Sequence, residues 1–207
     1  MRNWPIALLG AAALALAGCS GILPKPAPPP ALYRLTAAAD FPAAAGVSPV
    51  QLLIETPTAE AALDATRIAL SRSATTLDYF ADSAWTDRLP VLLQARLFDS
   101  FQNAHRLIVL AGAAGAAHGD AILTLSLRHF EAEYGAAGPP RWHIELTADL
   151  IAAADRKVLA TRTFNATADA AQNDMPAIVD AADKAWRGVA AQIVDWAADT
   201  LSRRRPS

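Results

Sequence analysis

The chemistry-bearing residues of this chain are few, and their spacing is the first thing to settle. Four histidines occur, His105, His118, His129 and His143, and no H-E-x-x-H or comparable metal spacing links them. On a regular strand His129 falls in phase with Leu127, whereas His143 falls on the polar face of its own strand. The pair therefore need not converge. Glu131 and Glu133 alternate on one strand face, a pattern ordinary for a solvated edge. The segment Gly112-Ala-Ala-Gly-Ala-Ala-His-Gly119 follows a strand, as a phosphate loop would. It lacks G-x-G-x-x-G and a Gly-Lys-Ser/Thr ending, and it leads into another strand, so it reads as a plain loop. No G-x-S-x-G elbow is present. The expectation is a chain with no catalytic residues, no cofactor and no metal site. One cysteine remains, Cys19. A single thiol makes no internal disulfide.

The residues before Cys19 explain it. Met1-Arg2 is a short positive start, and Trp4 to Ala17 is apolar or small. That run of about 14 residues is shorter than the roughly 20 a spanning helix requires. It ends in Leu16-Ala17-Gly18-Cys19, which resembles the lipobox of bacterial lipoproteins: a leucine, two small residues, then the cysteine. The expectation is a signal peptide over residues 1–18, with the Cys19 sulfur acylated. Each buried methylene of an acyl chain contributes about 0.8 kcal/mol, and stable anchoring takes more than one chain. Ser20 stands where an Asp would, by the same resemblance, favour inner-membrane retention, so it leans towards the outer membrane. Residues 19–30 form the anchor and tether. Leu23-Pro-Lys-Pro-Ala-Pro-Pro-Pro30 should extend as polyproline II at roughly 3 Å per residue. A Pro-rich recognition motif is the other reading of that stretch.

The remainder, residues 31–203, must position whatever the chain does, and its length fits one domain. Alternation predicts strands at Ala31–Thr36 and Val50–Glu55, and Thr58–Asp64 reads as a short helical turn capped by Thr58. Arg67–Arg72 and Thr76–Phe80 read as a hairpin around Ser73-Ala74. A helix capped by Asp82 or Ser83 is expected over about Ala84–Ala104, with Trp85, Leu89, Leu92, Leu93, Leu97 and Phe101 on one face. Pro90 should then kink it. Leu107–Leu110 reads as a strand. Ala121–Tyr134, Trp142–Ile151 and Val158–Thr167 read as an antiparallel meander with one face buried. A last amphipathic helix runs over about Met175–Ser202, its Trp186 and Trp196 packing across the sheet. A long coiled coil with a partner helix is the competing reading. The predicted fold is α+β: one mixed, mostly antiparallel sheet of about six or seven strands with two long helices on one face.

Net charge is −2 and the apolar fraction 53%, much of it alanine. Losing Arg2 with the signal makes the balance slightly more acidic. Nucleic-acid binding needs a concentrated basic face, which this chain lacks. Arg203-Arg204-Arg205 is the sole basic run and reads as a solvated tail, with an anionic membrane or partner contact as the alternative.

The order of these features resembles the ABC-type transport auxiliary lipoprotein components, which include outer-membrane lipoproteins of paraquat-inducible and other MCE-domain lipid transport systems. The residues that carry the resemblance are the Cys19 motif, Tyr33-Arg34-Leu35 after a Pro-rich stretch, Leu52-Leu53-Ile54-Glu55-Thr56-Pro57, Asp64 to Arg72, and Leu77 to Trp85, where Trp85 opens the first helix. The Pro57-Thr-Ala-Glu-Ala-Ala-Leu63 stretch departs from the family's usual Pro-x-Tyr-Leu. The resemblance covers about residues 31–200. It implies a non-enzymatic, lipid-anchored protein on the periplasmic face of the outer membrane. Its partners would be an MCE-domain protein and an inner-membrane ABC permease and ATPase, and it would act as a homo-oligomeric ring. A different envelope lipoprotein, assisting assembly of outer-membrane or surface-polymer machinery, is the alternative function.

Overall fold

The computed structural model describes residues 28–44, 46–112 and 119–203. Nine strands and two helices follow one another as β1 (Ala31–Tyr33), β2 (Ser48–Ile54), β3 (Thr58–Ala59), β4 (Arg67–Ser73), β5 (Thr76–Trp85), α1 (Leu89–Ala104), β6 (Leu107–Ala111), β7 (Ala121–Glu133), β8 (Arg141–Ala152), β9 (Val158–Asp169) and α2 (Met175–Arg203). The fold is α+β, with all described strands in one open mixed sheet.

Strand β7 is the spine of that sheet. Along one edge it meets three short strands in turn, all parallel: β2 through Leu52↔Ala121, β3 through Thr58↔Ser126 and β4 through Leu70↔Ala132. Along the other edge it pairs antiparallel with β8, which pairs with β9. The meander is therefore as expected. The prediction of a mostly antiparallel sheet of six or seven strands needs correction. Nine strands are present among the described residues, and β1·β5 and β2·β6 are parallel as well. Strands β1, β2 and β3 pair with segments distant in sequence, and two- or three-residue strands carry too little alternation to announce their partners.

The region around Trp85 also differs from expectation. Residues 83–85 are the end of β5, paired parallel with β1 through Ala31↔Ser83 and Tyr33↔Trp85. Asp82, expected as a helix cap, instead takes a left-handed φ of 53° inside the strand. The β4·β5 register slips beside it, between Arg67↔Ala84 and Ala69↔Tyr79. Helix α1 starts only at Leu89, so Pro90 lies in its first turn. There its missing N–H would be unpaired in any residue, and no kink results. Thr58 likewise caps no helix but belongs to β3, and the chain turns after it, with Leu63 and Asp64 N–H both donating to the Glu60 carbonyl.

The core lies between the sheet and the two helices. Strand β8 turns Trp142, Ile144, Leu146, Ala148 and Leu150 inward, all fully buried. Against them α2 lays Ile178, Ala182, Trp186, Val189 and Ile193. Trp85, Phe130, Trp142 and Trp186 form an edge-to-face group with ring centroids 5.3–6.5 Å apart. Such pairs contribute about 0.5–1.5 kcal/mol each beyond area burial. Trp196 meets Phe164 of β9 at 5.7 Å, so both α2 tryptophans do pack across the sheet.

The segment after β1 is clamped between the helices. Asp183 of α2 accepts hydrogen bonds from Thr36 N–H at 2.6 Å and Thr36 Oγ1 at 2.8 Å, and from Arg187 Nε at 3.0 Å. Ser100 of α1 accepts from Ala38 N–H at 3.0 Å, and Asn103 Nδ2 donates to the Ala38 carbonyl at 2.9 Å.

Candidate functional site

One irregularity in β7 builds the site. In its first half, Leu123, Leu125 and Leu127 point into the core. The β7·β8 register then slips: Leu127 faces Leu146, but His129 faces Glu145, leaving Arg128 as an extra residue. This is a β-bulge, and it exchanges the two faces of the strand. Beyond it Phe130 and Ala132 point inward, and His129, Glu131 and Glu133 point to the polar face. The expectation that His129 stays in phase with Leu127 is thereby overturned, and the two histidines do converge. His143 sits directly opposite Glu131, on the same polar face.

The imidazoles of His129 and His143 stack, with centroids 4.8 Å apart and planes at 15°. Each has a carboxylate at Nδ1: Glu131 Oε1 lies 2.6 Å from His129 Nδ1, and Glu133 Oε1 lies 2.7 Å from His143 Nδ1. Glu131 Oε2 accepts from Phe130 N–H at 2.6 Å. On the far side of His143, Asn165 of β9 places Nδ2 3.2 Å from Nε2, and the same amide reaches Glu145 Oε2 at 3.3 Å. Arg128 Nε lies 3.5 Å from Glu145. One ligand-type atom from each of His129, Glu131, Glu133 and His143 falls within a sphere where no two are more than 4.8 Å apart.

Glu131 and Glu133 do not lie at a solvated edge, as their alternation suggested. Strand β7 is interior, and Glu131 is only 5% exposed. His129, Glu131 and Glu133 form one wall of an open groove of about 530 Å³, whose other lining includes Glu60, Ser71, Arg72, Leu77 and Tyr134. Arg72 lies over the Tyr134 ring at 4.9 Å. At the end of the meander Arg141 Nε donates to Asp169 at 2.8 Å, and that hydrogen bond and charge raise the guanidinium pKa still further. Chemically, the site offers two imidazole–carboxylate pairs on adjacent rigid strands, open to solvent on the groove side. It can exchange protons and can offer nitrogen and oxygen ligands to a cation.

The other candidate residues do not join it. His105 ends α1 with φ 50°, its N–H donating to the Gln102 carbonyl, and lies on the surface. Cys19 and His118 fall outside the described residues, as do most of the Gly112–Gly119 segment and Arg204 and Arg205. Among the described residues no helix is long and apolar enough to cross a membrane. Two signals for the cluster were present in the chain. The His-x-Glu-x-Glu spacing of 129, 131 and 133 shares one strand face. The inward apolar positions also change parity, from 123, 125 and 127 to 130 and 132.

Comparison with known proteins gives the chain its relatives. The model of the ABC-type transport auxiliary lipoprotein component family matches residues 33–194. An uncharacterized protein of Bradyrhizobium diazoefficiens is 29% identical over 164 residues. The match takes in 79% of this chain but 44% of that protein, so the chain spans less than half of that relative's length. In the solved structures, a protein of Xanthomonas campestris has the same fold, with a TM-score of 0.76 at 24% identity, over 84% of this chain and 98% of that one. A hypothetical protein of Chlamydia trachomatis aligns with a TM-score of 0.53 at 7% identity, over 76% of this chain and all of that one.

Proposed function

Because the chain belongs to the ABC-type transport auxiliary lipoprotein components, we propose that it is the lipid-anchored auxiliary subunit of an MCE-type intermembrane lipid transport system. Its role is non-enzymatic. It docks the outer-membrane end of the system, facing the periplasm, and assembles as a homo-oligomeric ring that receives an MCE-domain protein. That protein is served in turn by an inner-membrane ABC permease and its ATPase. The observation that carries this reading is the span of the family match. Residues 33–194 run from the last residue of β1 through most of α2, so the match takes in nearly all of the described elements and is more than a shared motif. The N-terminal sequence supports the placement: Leu16-Ala17-Gly18-Cys19 supplies the acylation site, Ser20 the outer-membrane bias, and the Pro-rich residues 23–30 a spacer.

A Cys19→Ala strain tests the anchor. The variant should fold yet leave the membrane fraction and fail to restore detergent resistance to a deletion strain. Crosslinking of the wild type in intact cells should recover an MCE-domain protein. A variant that still sediments with outer membranes and complements the deletion would refute the anchor. A deletion strain of normal detergent resistance, with no MCE-domain partner recovered, would refute the transport role.

A further inference from the structure

We propose that His129, Glu131, Glu133 and His143 form a binding site for one divalent transition-metal ion of the zinc class. Four features of the cluster argue for it.

The first is ligand type and number. Two imidazole nitrogens and two carboxylate oxygens are a complete four-coordinate set for Zn²⁺, and two ionised carboxylates with two neutral imidazoles balance its charge. Imidazole favours such metals over Mg²⁺ and Ca²⁺, which take oxygen ligands almost exclusively.

The second is distance. Zinc bonds of about 2.0–2.2 Å in a tetrahedron set ligand atoms about 3.4 Å apart. Here the four atoms span separations up to 4.8 Å, with the two hydrogen-bonded pairs at 2.6 and 2.7 Å. Opening those pairs by under 1 Å and closing the far ones by under 1.5 Å makes the tetrahedron. Side-chain rotation alone can supply such movements.

The third is support. The ligands stand at alternate positions of β7 and across from them on β8, in the stretch His129–Glu133 that pairs without a break beyond the bulge. Glu131 is fixed through its second oxygen by Phe130 N–H. A metal on Nδ1 of His143 puts the ring proton on Nε2, where the Asn165 amide stands at 3.2 Å. Turned by half a rotation, that amide presents Oδ1 as the acceptor, giving up the 3.3 Å bond its Nδ2 makes to Glu145 Oε2. Outer contacts of this kind hold a ligating histidine in orientation.

The fourth is burial with access. A carboxylate 5% exposed is costly unless a cation or hydrogen bonds compensate it. Glu131 lies at the wall of a groove wide enough to admit a hydrated ion.

The test uses the full chain, purified in detergent without a polyhistidine tag and stripped with chelator. Zn²⁺ is then titrated by calorimetry, with bound metal counted after dialysis. The expected result is one Zn²⁺ per chain, not displaced by millimolar Mg²⁺ or Ca²⁺. His143→Ala and Glu133→Gln should each weaken binding at least tenfold, while Asn165→Ala, which removes no ligand, should weaken it by about tenfold. Glu133 is half-exposed and its amide is isosteric, so the Glu133→Gln variant separates ligand loss from misfolding, with circular dichroism as the check. No saturable uptake by the wild type, or unchanged affinity in both ligand variants, overturns the site.

Discussion

Deleting Arg128 removes a residue from the middle of the central strand, yet it should cost little. Arg128 is the residue left over where Leu127 faces Leu146 and His129 faces Glu145. Without it the two halves of β7 join into a regular ladder with every other β8 partner unchanged. Leu127 stays inward, His129 outward and Phe130 inward. What is lost is a side chain 65% exposed and its 3.5 Å ion pair with Glu145. An exposed pair of that kind is worth no more than about 1 kcal/mol. The bulge also falls between the stretches that pair with β3, at 126 and 127, and with β4, at 132 and 133, so neither edge contact is cut. Deleting Ser126 instead is the sharp control. With Ala121–Leu125 and His129–Glu133 held opposite their partners, Leu127 must take the outward place opposite Thr147, and Arg128 the inward place opposite Leu146. Losing a buried leucine from a core costs about 2–5 kcal/mol, and an unpaired charge put in its place costs more. Urea unfolding followed by fluorescence of the buried Trp85, Trp142 and Trp186 measures both deletions, with the m value as the check on cooperativity. The Arg128 deletion should stay within about 1 kcal/mol of wild type, and the Ser126 deletion should be barely folded. A loss above about 3 kcal/mol for the first, or equal losses for the two, refutes the bulge as the device that turns His129 to the polar face.

Two further outcomes follow from contacts beside β2 and at the helix clamp. A Cβ built on Gly119 lies 2.8 Å from the Gln51 carbonyl and 3.3 Å from Leu53 N, both backbone atoms of β2. Gly119→Ala must therefore push β2 from β7, and should cost about 1–3 kcal/mol in urea or thermal unfolding. Asp183→Ala removes the carboxylate that accepts from three donors, Thr36 N–H, Thr36 Oγ1 and Arg187 Nε. It should cost about 1–3 kcal/mol and speed tryptic cleavage at Arg34, read by mass spectrometry, whereas uncleaved wild type and variant alike would mean the clamp holds without Asp183.

The parts of the fold legible in the sequence are those where one periodicity runs long enough to exclude others. Residues 142–151 alternate without a break, and residues 178–200 repeat at three and four, so β8 and α2 stand where expected. Trp85 misled because it lies at helical spacing from Leu89 and Leu92. Pairing with β1, a partner some fifty residues earlier, holds it in a strand, and no local pattern encodes that. The site was missed for a related reason. Extrapolating from Leu127 assumes an unbroken strand, and the bulge breaks it after one residue. The switch of inward positions from odd to even was visible, but a single parity change reads as noise until the opposite strand shows which residue is left unpaired.

The junction at Thr36–Ala38 has a mechanical meaning. If Cys19 is held in a lipid leaflet, any relative motion of membrane and partner pulls on the chain entering β1. That strand runs beside β5, and its three pairs are loaded together in shear when tension acts along the strand, instead of parting one at a time. Behind them the load divides. Asp183 passes part of it to α2 through Thr36, and Ser100 and Asn103 pass part to α1 through Ala38. Tyr33 pairs with Trp85, whose ring stands in the aromatic centre of the core. The domain thus hangs from a point bonded to both helices. Strain entering from the membrane is shared between both helices and the aromatic core, and is not borne by β1 alone.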